Sequence, residues 1–126
     1  MRLLVRARMY PTEDEKKVRE AIRKLFEIEV SREGEYLVGK SADRESLEKM
    51  HLLLRSQGIL DSARDIFLKE AEGNQLTITL NKQAAHAGAV NFYGHSYLGS
   101  IHVTITTSNI AELIDWLAPS TGKGKH

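Results

Sequence analysis

The chain has 126 residues, of which 41% are hydrophobic and 28% are charged, so it can form one well-packed domain and still remain soluble. It contains no cysteine, which excludes disulfides, thiolate zinc sites and cysteine nucleophiles. The apolar stretch at residues 1–10 is short and is interrupted by arginines, which is not typical of a signal peptide. No apolar run approaches the length of a membrane span. We therefore expect a cytoplasmic protein with no membrane partner.

The net charge of +1 is not typical of a nucleic-acid-binding protein, but the charges are unevenly distributed. Residues 1–10 carry three arginines and no acid, whereas residues 11–72 carry 12 basic and 15 acidic residues. Residues 73–111 contain no carboxylate up to the start of the last helix, and Lys82 is their only lysine or arginine. A polyanion would meet little repulsion there, although strands in general carry few charges, so both explanations stay open.

The first elements follow from alternation and from helix-start signals. Residues 2–10 alternate as a half-buried strand. Pro11 and Thr12 predict the start of a helix, because proline suits a first turn and Thr12 has capping-box spacing with Glu15. The predicted buried stripe of this helix is Val18, Ala21, Ile22, Leu25 and Phe26. Two short strands, residues 28–32 and 36–39, should then flank a turn at residues 33–35.

The rest of the chain predicts two helices, two strands and a final helix. The helices cover residues 44–57 and about 60–72, and the strands cover residues 75–81 and 98–107. Asn109 should cap the last helix, which ends at Pro119. The residues beyond form a short basic tail. We therefore predict one domain over residues 1–119 and a flexible tail over residues 120–126.

This order predicts an α+β fold, a single two-layer domain with a mostly antiparallel sheet and helices on one face. If the alternating strands are neighbours, their polar residues share the other face of the sheet. That face would be rich in hydroxyl groups and weakly basic. Its predicted members are Arg2, Arg6, Arg8, Thr77, Thr79, Asn81, His102, Thr104 and Thr106.

No catalytic motif is convincing. Residues 94–99 resemble a nucleophile elbow around Ser96, but Leu98 occupies the position of the required second glycine. The histidines have no helical ligand spacing, and a composite zinc site of His86, His95 and His102 is the one metal alternative. We expect no enzyme activity, no catalytic residue, no metal site and no cofactor.

The stretch from Leu80 to Phe92 breaks the periodicity of the chain with amides, small residues and one lysine. We call residues 80–85, Leu-Asn-Lys-Gln-Ala-Ala, the amide block. Together with Gly88, residues 90–91 and the run at 98–103, this block resembles the hallmark of the archaeal uncharacterised protein family two-zero-one. Members of that family are labelled RNA-binding or exosome-associated. The resemblance implies a fold similar to ribosomal protein L-five and a homodimer.

The resemblance and the charge distribution together suggest a non-enzymatic RNA-binding protein of archaeal RNA metabolism, in RNA processing or a ribosome-related role. Its partner would be structured RNA, which it would contact through backbone groups rather than base sequence. The hypothetical RNA-contacting residues are Asn81, Lys82, Gln83, Asn91, Arg2, Arg6 and Arg8. Four of these residues also have a structural interpretation: Asn81 and Asn91 as caps or turns, Lys82 as a solvated strand end, and Gln83 within one helical turn.

The alternative is a structural or interaction protein that forms a homodimer, or docks a protein partner such as an RNA-processing complex, without touching RNA. Stacking of bases on the open sheet face is not expected, because that face is predicted to offer threonines rather than aromatic rings.

Overall fold

The computed structural model of the chain describes residues 1–92 and 99–122. These residues form six strands and five helices. The strands are β1 (Arg2–Arg8), β2 (Val30–Glu33), β3 (Tyr36–Ser41), β4 (Ala71–Glu72), β5 (Gln75–Asn81) and β6 (Ser100–Thr106). The helices are α1 (Glu15–Leu25), α2 (Glu48–Ser56), α3 (Leu60–Glu70), α4 (Lys82–His86) and α5 (Ile110–Leu117), and a 3₁₀ turn at Arg44–Leu47 precedes α2.

The strands form one antiparallel sheet in the order β2-β3-β1-β6-β5-β4. The central strand β1 pairs with β3 on one side and β6 on the other, and β6 pairs with β5 over residues 75–81. The prediction of a single α+β domain with a mostly antiparallel sheet is confirmed. The alternating strands β1, β6 and β5 are neighbours in this sheet, as predicted.

The helices cover one face of this sheet and enclose the core. All five residues of the predicted α1 stripe are buried, and so are Leu47, Met50 and Leu54 of the next helical segment. Inward strand residues such as Val5, Ile78 and Val103 complete the core. Apolar residues therefore line the helix side of the sheet, and polar residues are left on the other side.

The start of α1 differs from the prediction of a capping box at Thr12. Asp14 is the cap, and its carboxylate accepts a hydrogen bond of 2.9 Å from the backbone nitrogen of Lys16. The helix begins at Glu15, later than predicted, and Glu15, the expected partner of Thr12, pairs with Arg19 and Arg32 instead. These ion pairs take the place of the capping box.

Two smaller differences concern the carboxyl-terminal half. The end of the predicted third helix is a two-residue strand, β4, which pairs with β5. In the predicted tail, the backbone nitrogen of Thr121 donates to Asp61 of α3 at 3.0 Å, so the tail is anchored at its start. The elbow-like motif at residues 94–99 lies almost wholly outside the described residues. None of the described helices is long and apolar enough to cross a membrane.

Candidate nucleic-acid interface

The face of the sheet opposite the helices, which we call the open face, carries the polar residues predicted for it. Strand register places Arg6, His102 and Thr79 in one row across β1, β6 and β5. The next rows join Leu4 to Thr104 and Thr77, and Arg2 to Thr106 and Gln75. Because side chains alternate along a strand, all of these residues point away from the helices.

The open face is positively charged along its centre. The outward residues of β1, β3, β5 and β6 include four cations and no carboxylate: Arg2, Arg6, Arg8 and Lys40. Register places the outward acids Glu33 and Glu72 on the edge strands β2 and β4. Anionic ligands would therefore be attracted toward β1 and β3.

The arginines of β1 have different surroundings. The guanidinium carbon of Arg6 lies 4.4 Å from the centroid of the Tyr36 ring. Arg8 forms an ion pair of 3.5 Å with Glu35 and lies over the Tyr10 ring at 5.3 Å. Within residues 1–92 and 99–122, no ion pair is found for Arg2, Arg6 or Lys40. These three cations keep their charge available for a ligand.

Tyr36 and Lys40 are functional candidates that the sequence interpretation missed. Both lie on the outward side of β3, where Tyr36 is opposite Arg8 and Lys40 is opposite Leu4. Their alternation with Leu37 and Gly39 was a usable signal, but only the pairing of β3 with β1 places them on the open face. The expectation that this face lacks an aromatic ring is wrong.

Lys82 is not part of the open face, and the structure corrects its interpretation as an RNA contact or as a solvated strand end. Its side chain is fully buried. The Nζ atom donates a hydrogen bond of 2.6 Å to the backbone oxygen of Arg8. It also donates hydrogen bonds of 3.0 and 3.1 Å to the two carboxylate oxygens of Glu13. It also lies 5.4 Å from the centroid of the Tyr10 ring. A cation enclosed in this way cannot reach a phosphate.

The other residues of the amide block have structural contacts. Asn81 caps α4 by accepting a 3.0 Å hydrogen bond from the backbone nitrogen of Ala84. The backbone oxygen of Asn91 accepts a hydrogen bond of 2.8 Å from the backbone nitrogen of Asn81. Gln83 and the Asn91 side chain are exposed, and Gln83 belongs to a helix that packs against α1. The predicted site residues thus divide between the open face and the block.

Gln57 fixes the segment that follows the block, and no sequence pattern pointed to this role. Its amide nitrogen donates a hydrogen bond of 2.9 Å to the backbone oxygen of Val90. Its amide oxygen accepts a hydrogen bond of 2.8 Å from the backbone nitrogen of Val90. Val90 is buried, and this pair of partly buried hydrogen bonds satisfies both of its backbone groups.

His86 closes α4 at the edge of the same region. Partial burial lowers the pKa of this imidazole below its ordinary value, and the nearby charges of Lys82, Lys24 and Lys17 lower it further, while Glu13 opposes them. Of the other two residues of the alternative zinc site, His102 lies on the open face and His95 lies outside the described residues. The part of the chain that the structure describes contains no group of three potential metal ligands.

Comparison with known proteins gives one consistent result. A family model described as RNA binding matches residues 2–107. A UPF0201 protein of Aeropyrum pernix is 40% identical over 134 residues, which cover 99% of this chain and 89% of the relative. A UPF0201 protein of Sulfurisphaera tokodaii is 42% identical over 131 residues, covering 98% and 90%. The crystal structure of the UPF0201 protein from Methanococcus jannaschii has a TM-score of 0.84 and 37% identity, and the match covers 98% of this chain and 97% of that one.

Proposed function

Since the chain belongs to the UPF0201 family, we propose that it is a non-enzymatic RNA-binding protein whose contact surface is the open face. The membership confirms the family resemblance that the amide block indicated. A cytoplasmic role in archaeal RNA processing or ribosome-related metabolism belongs to the same proposal. The family model is described as RNA binding, and this description supports the class of partner. A relation to ribosomal protein L-five stays a prediction.

The observation that carries the proposal is the charge of the open face. Four cations point outward from β1 and β3, and the outward positions of the four central strands have no carboxylate. Lysine and arginine contacts to phosphate supply most of the affinity of nucleic-acid-binding proteins. The net charge of +1 conceals this surface, because most acids lie on the helices and in the loops, and the outward acids of the sheet, Glu33 opposite Tyr36 and Glu72, are confined to its edge strands.

Polar residues beside the cations extend the contact area. The threonines at positions 77, 79, 104 and 106 form a block of hydroxyl groups across β5 and β6. Hydroxyl groups bind phosphate oxygens and the ribose 2′-hydroxyl without regard to base identity. We therefore assign RNA contact to Arg2 and Arg6, with Arg8 at the border because Glu35 partly satisfies it. Asn81, Gln83 and Asn91 remain peripheral contacts, while Lys82 holds the block in place.

Fluorescence anisotropy with a labelled RNA at two salt concentrations tests this function. We expect binding that weakens as salt rises. Arg2→Ala and Arg6→Ala should each weaken binding and reduce the slope of log affinity against log salt by about 0.7–0.9 for each phosphate that is no longer neutralised. Lys17→Ala, an exposed cation of α1, is the matched control and should leave the slope unchanged. Absence of RNA binding at low salt would refute the assignment.

A second candidate function is self-association or protein docking through the same face. Leu4 points outward there and is half-buried, so the open face has a small apolar component beside its charges. Thr104→Arg separates the two functions. The substitution should strengthen RNA binding by adding a cation, whereas it would dissociate a homodimer built on this face, which light scattering would detect.

A further inference from the structure

We infer that the open face binds unpaired RNA, with Tyr36, Arg6 and His102 forming a base-stacking subsite and Lys40 and Arg2 holding the adjoining phosphates. The inference rests on the proposed function and deepens it by naming the kind of RNA. It departs from the sequence-based expectation of structured RNA.

The stacking surface consists of three planar groups on neighbouring strands. The Arg6 guanidinium lies over the Tyr36 ring, with 4.4 Å between its central carbon and the ring centroid. His102 is directly opposite Arg6 in the register of β1 and β6, and it is exposed. Aromatic rings, imidazoles and guanidinium planes are the groups on which proteins stack unpaired bases. Beside them, Thr79 is opposite His102 and offers a hydroxyl group to the same nucleotide.

The cations beside this surface have a spacing that suits one RNA backbone. Arg2 and Arg6 are four residues apart on β1, a distance of roughly 13 Å along an extended strand. Lys40 is opposite Leu4 on the adjacent strand and therefore lies between them. Lys40 is displaced from the line of Arg2 and Arg6 by about one strand spacing, roughly 5 Å, so the three cations form one narrow band. Such a band suits a single phosphate backbone, and the outward positions of β5 and β6 hold no lysine or arginine that would form a second row for the other strand of a duplex.

A shallow groove joins the cations to the apolar part of the face. Arg2, Leu4, Lys40 and Ala42 contribute to its lining, and its volume is about 570 Å³. Leu4 is half-buried at the floor between the two charges. An apolar floor between cations accepts the flat surface of a nucleobase together with its phosphate, whereas paired bases keep their flat surfaces inside the duplex.

The test compares the affinities of the whole protein for three labelled probes of equal length: oligouridylate, oligoadenylate and a blunt RNA duplex. We expect both single strands to bind more tightly than the duplex at moderate salt. Tyr36→Leu should weaken single-strand binding roughly 5- to 100-fold, and Tyr36→Phe should restore it, because stacking requires the ring and not the hydroxyl group. Lys40→Ala should reduce the salt slope by about 0.7, and Lys17→Ala should not change it.

His102→Ala is a second variant that removes a stacking group and leaves Tyr36 in place. It should also weaken single-strand binding several-fold. Equal or tighter binding of the duplex, with Tyr36→Leu and His102→Ala both unchanged for single strands, would overturn the inference and leave the proposed RNA-binding function intact. Absence of binding to all three probes would overturn both. Loss of a dimer in Lys40→Ala without any RNA binding would assign the face to self-association instead.

Discussion

The buried site of Lys82 and the open face around Arg6 place a positive charge in opposite environments. Lys82 is enclosed and donates to three oxygens, two of them from the carboxylate of Glu13. Arg6 is exposed and lies over an aromatic ring, without an ion pair among the described residues. The same formal charge therefore connects chain segments in one place and remains available to an anion in the other.

This comparison explains why a family block need not be a binding site. The amide block begins at the end of β5, and Lys82 connects it to β1 through the oxygen of Arg8 and to the segment before α1 through Glu13. Removing one partner of a buried ion pair is strongly destabilising, because the other charge is left without compensation. A structural requirement of this kind is sufficient to specify a lysine in the block.

Replacing Lys82 by methionine should have the largest effect on stability. We expect Lys82→Met to lower the free energy of unfolding by about 3–5 kcal/mol, because Glu13 would be left buried and unpaired. Urea denaturation followed by circular dichroism measures the change. The double variant Lys82→Met with Glu13→Gln should recover part of the loss, because the uncompensated charge is removed.

The matched control for this prediction is Lys17→Met, which removes an exposed cation and should change stability by less than about 0.5 kcal/mol. RNA affinity of the folded Lys82→Met protein should stay close to that of the unsubstituted chain. A stable Lys82→Met protein that no longer binds RNA would reverse the comparison and place the RNA site at the block.

Replacing Gln57 by leucine should have the next largest effect. The substitution removes the partners of the buried backbone nitrogen and oxygen of Val90, and each unsatisfied group costs about 1–3 kcal/mol unless water enters. Because Gln57 is exposed, water can replace part of what its amide provides, and we expect a total loss of about 1–3 kcal/mol rather than the sum for both groups, with unchanged RNA affinity. Hydrogen exchange of the Val90 amide should accelerate more than that of core strand amides. Uniform acceleration throughout the protein would indicate a global effect instead of a local one.

The sequence predicts the fold well because its strands alternate strictly. Residues 75–81 are predicted and observed as a strand with the same bounds, and the stripe of α1 is buried in full. Alternation along β1, β5 and β6 also identifies the outward threonines and arginines, since one face of each strand is apolar. These features depend on neighbours in the chain or on simple periodicity.

The features that could not be predicted depend on residues far apart in the chain. The partners Lys82 and Glu13 are separated by 69 positions, and nothing local distinguishes this buried lysine from a solvated one. Tyr36 and Lys40 reach the open face only because β3 pairs with β1 rather than with another strand. Part of the composition of the site could therefore be predicted from the sequence. The distinction between the buried cation Lys82 and the exposed cations of the open face required the tertiary structure.

Replacing Asn81 by alanine should have a moderate effect. The variant loses the cap of α4, and we expect a decrease in stability of about 0.5–2 kcal/mol. Asn81→Asp should keep the cap, because aspartate caps about as well as asparagine. Thermal denaturation of the two variants tests the capping role. Equal destabilisation by both would show that the amide group of Asn81, and not its capping oxygen, is required.

The smallest expected effect is the pH dependence that His86 contributes. Burial, with the lysines around it, lowers the pKa of the folded imidazole below the ordinary value of 6.5. The unfolded chain therefore binds a proton at a higher pH than the folded protein does, and stability falls as the pH decreases from about 6.5 toward the folded pKa. Above this window both states are neutral at His86, and its contribution is constant.

Urea denaturation of the unsubstituted protein and of His86→Gln at several pH values between 7.5 and about 5 measures this contribution. We expect the difference in stability between the two proteins to shift in favour of His86→Gln as the pH falls. The physical reason is that His86 already lies near the enclosed cation Lys82 and near Lys24, whose Nζ donates a hydrogen bond of 2.5 Å to the backbone oxygen of His86. Parallel pH curves would show that the surroundings of His86 tolerate a further positive charge, and the contrast with the open face would then depend on Lys82 alone.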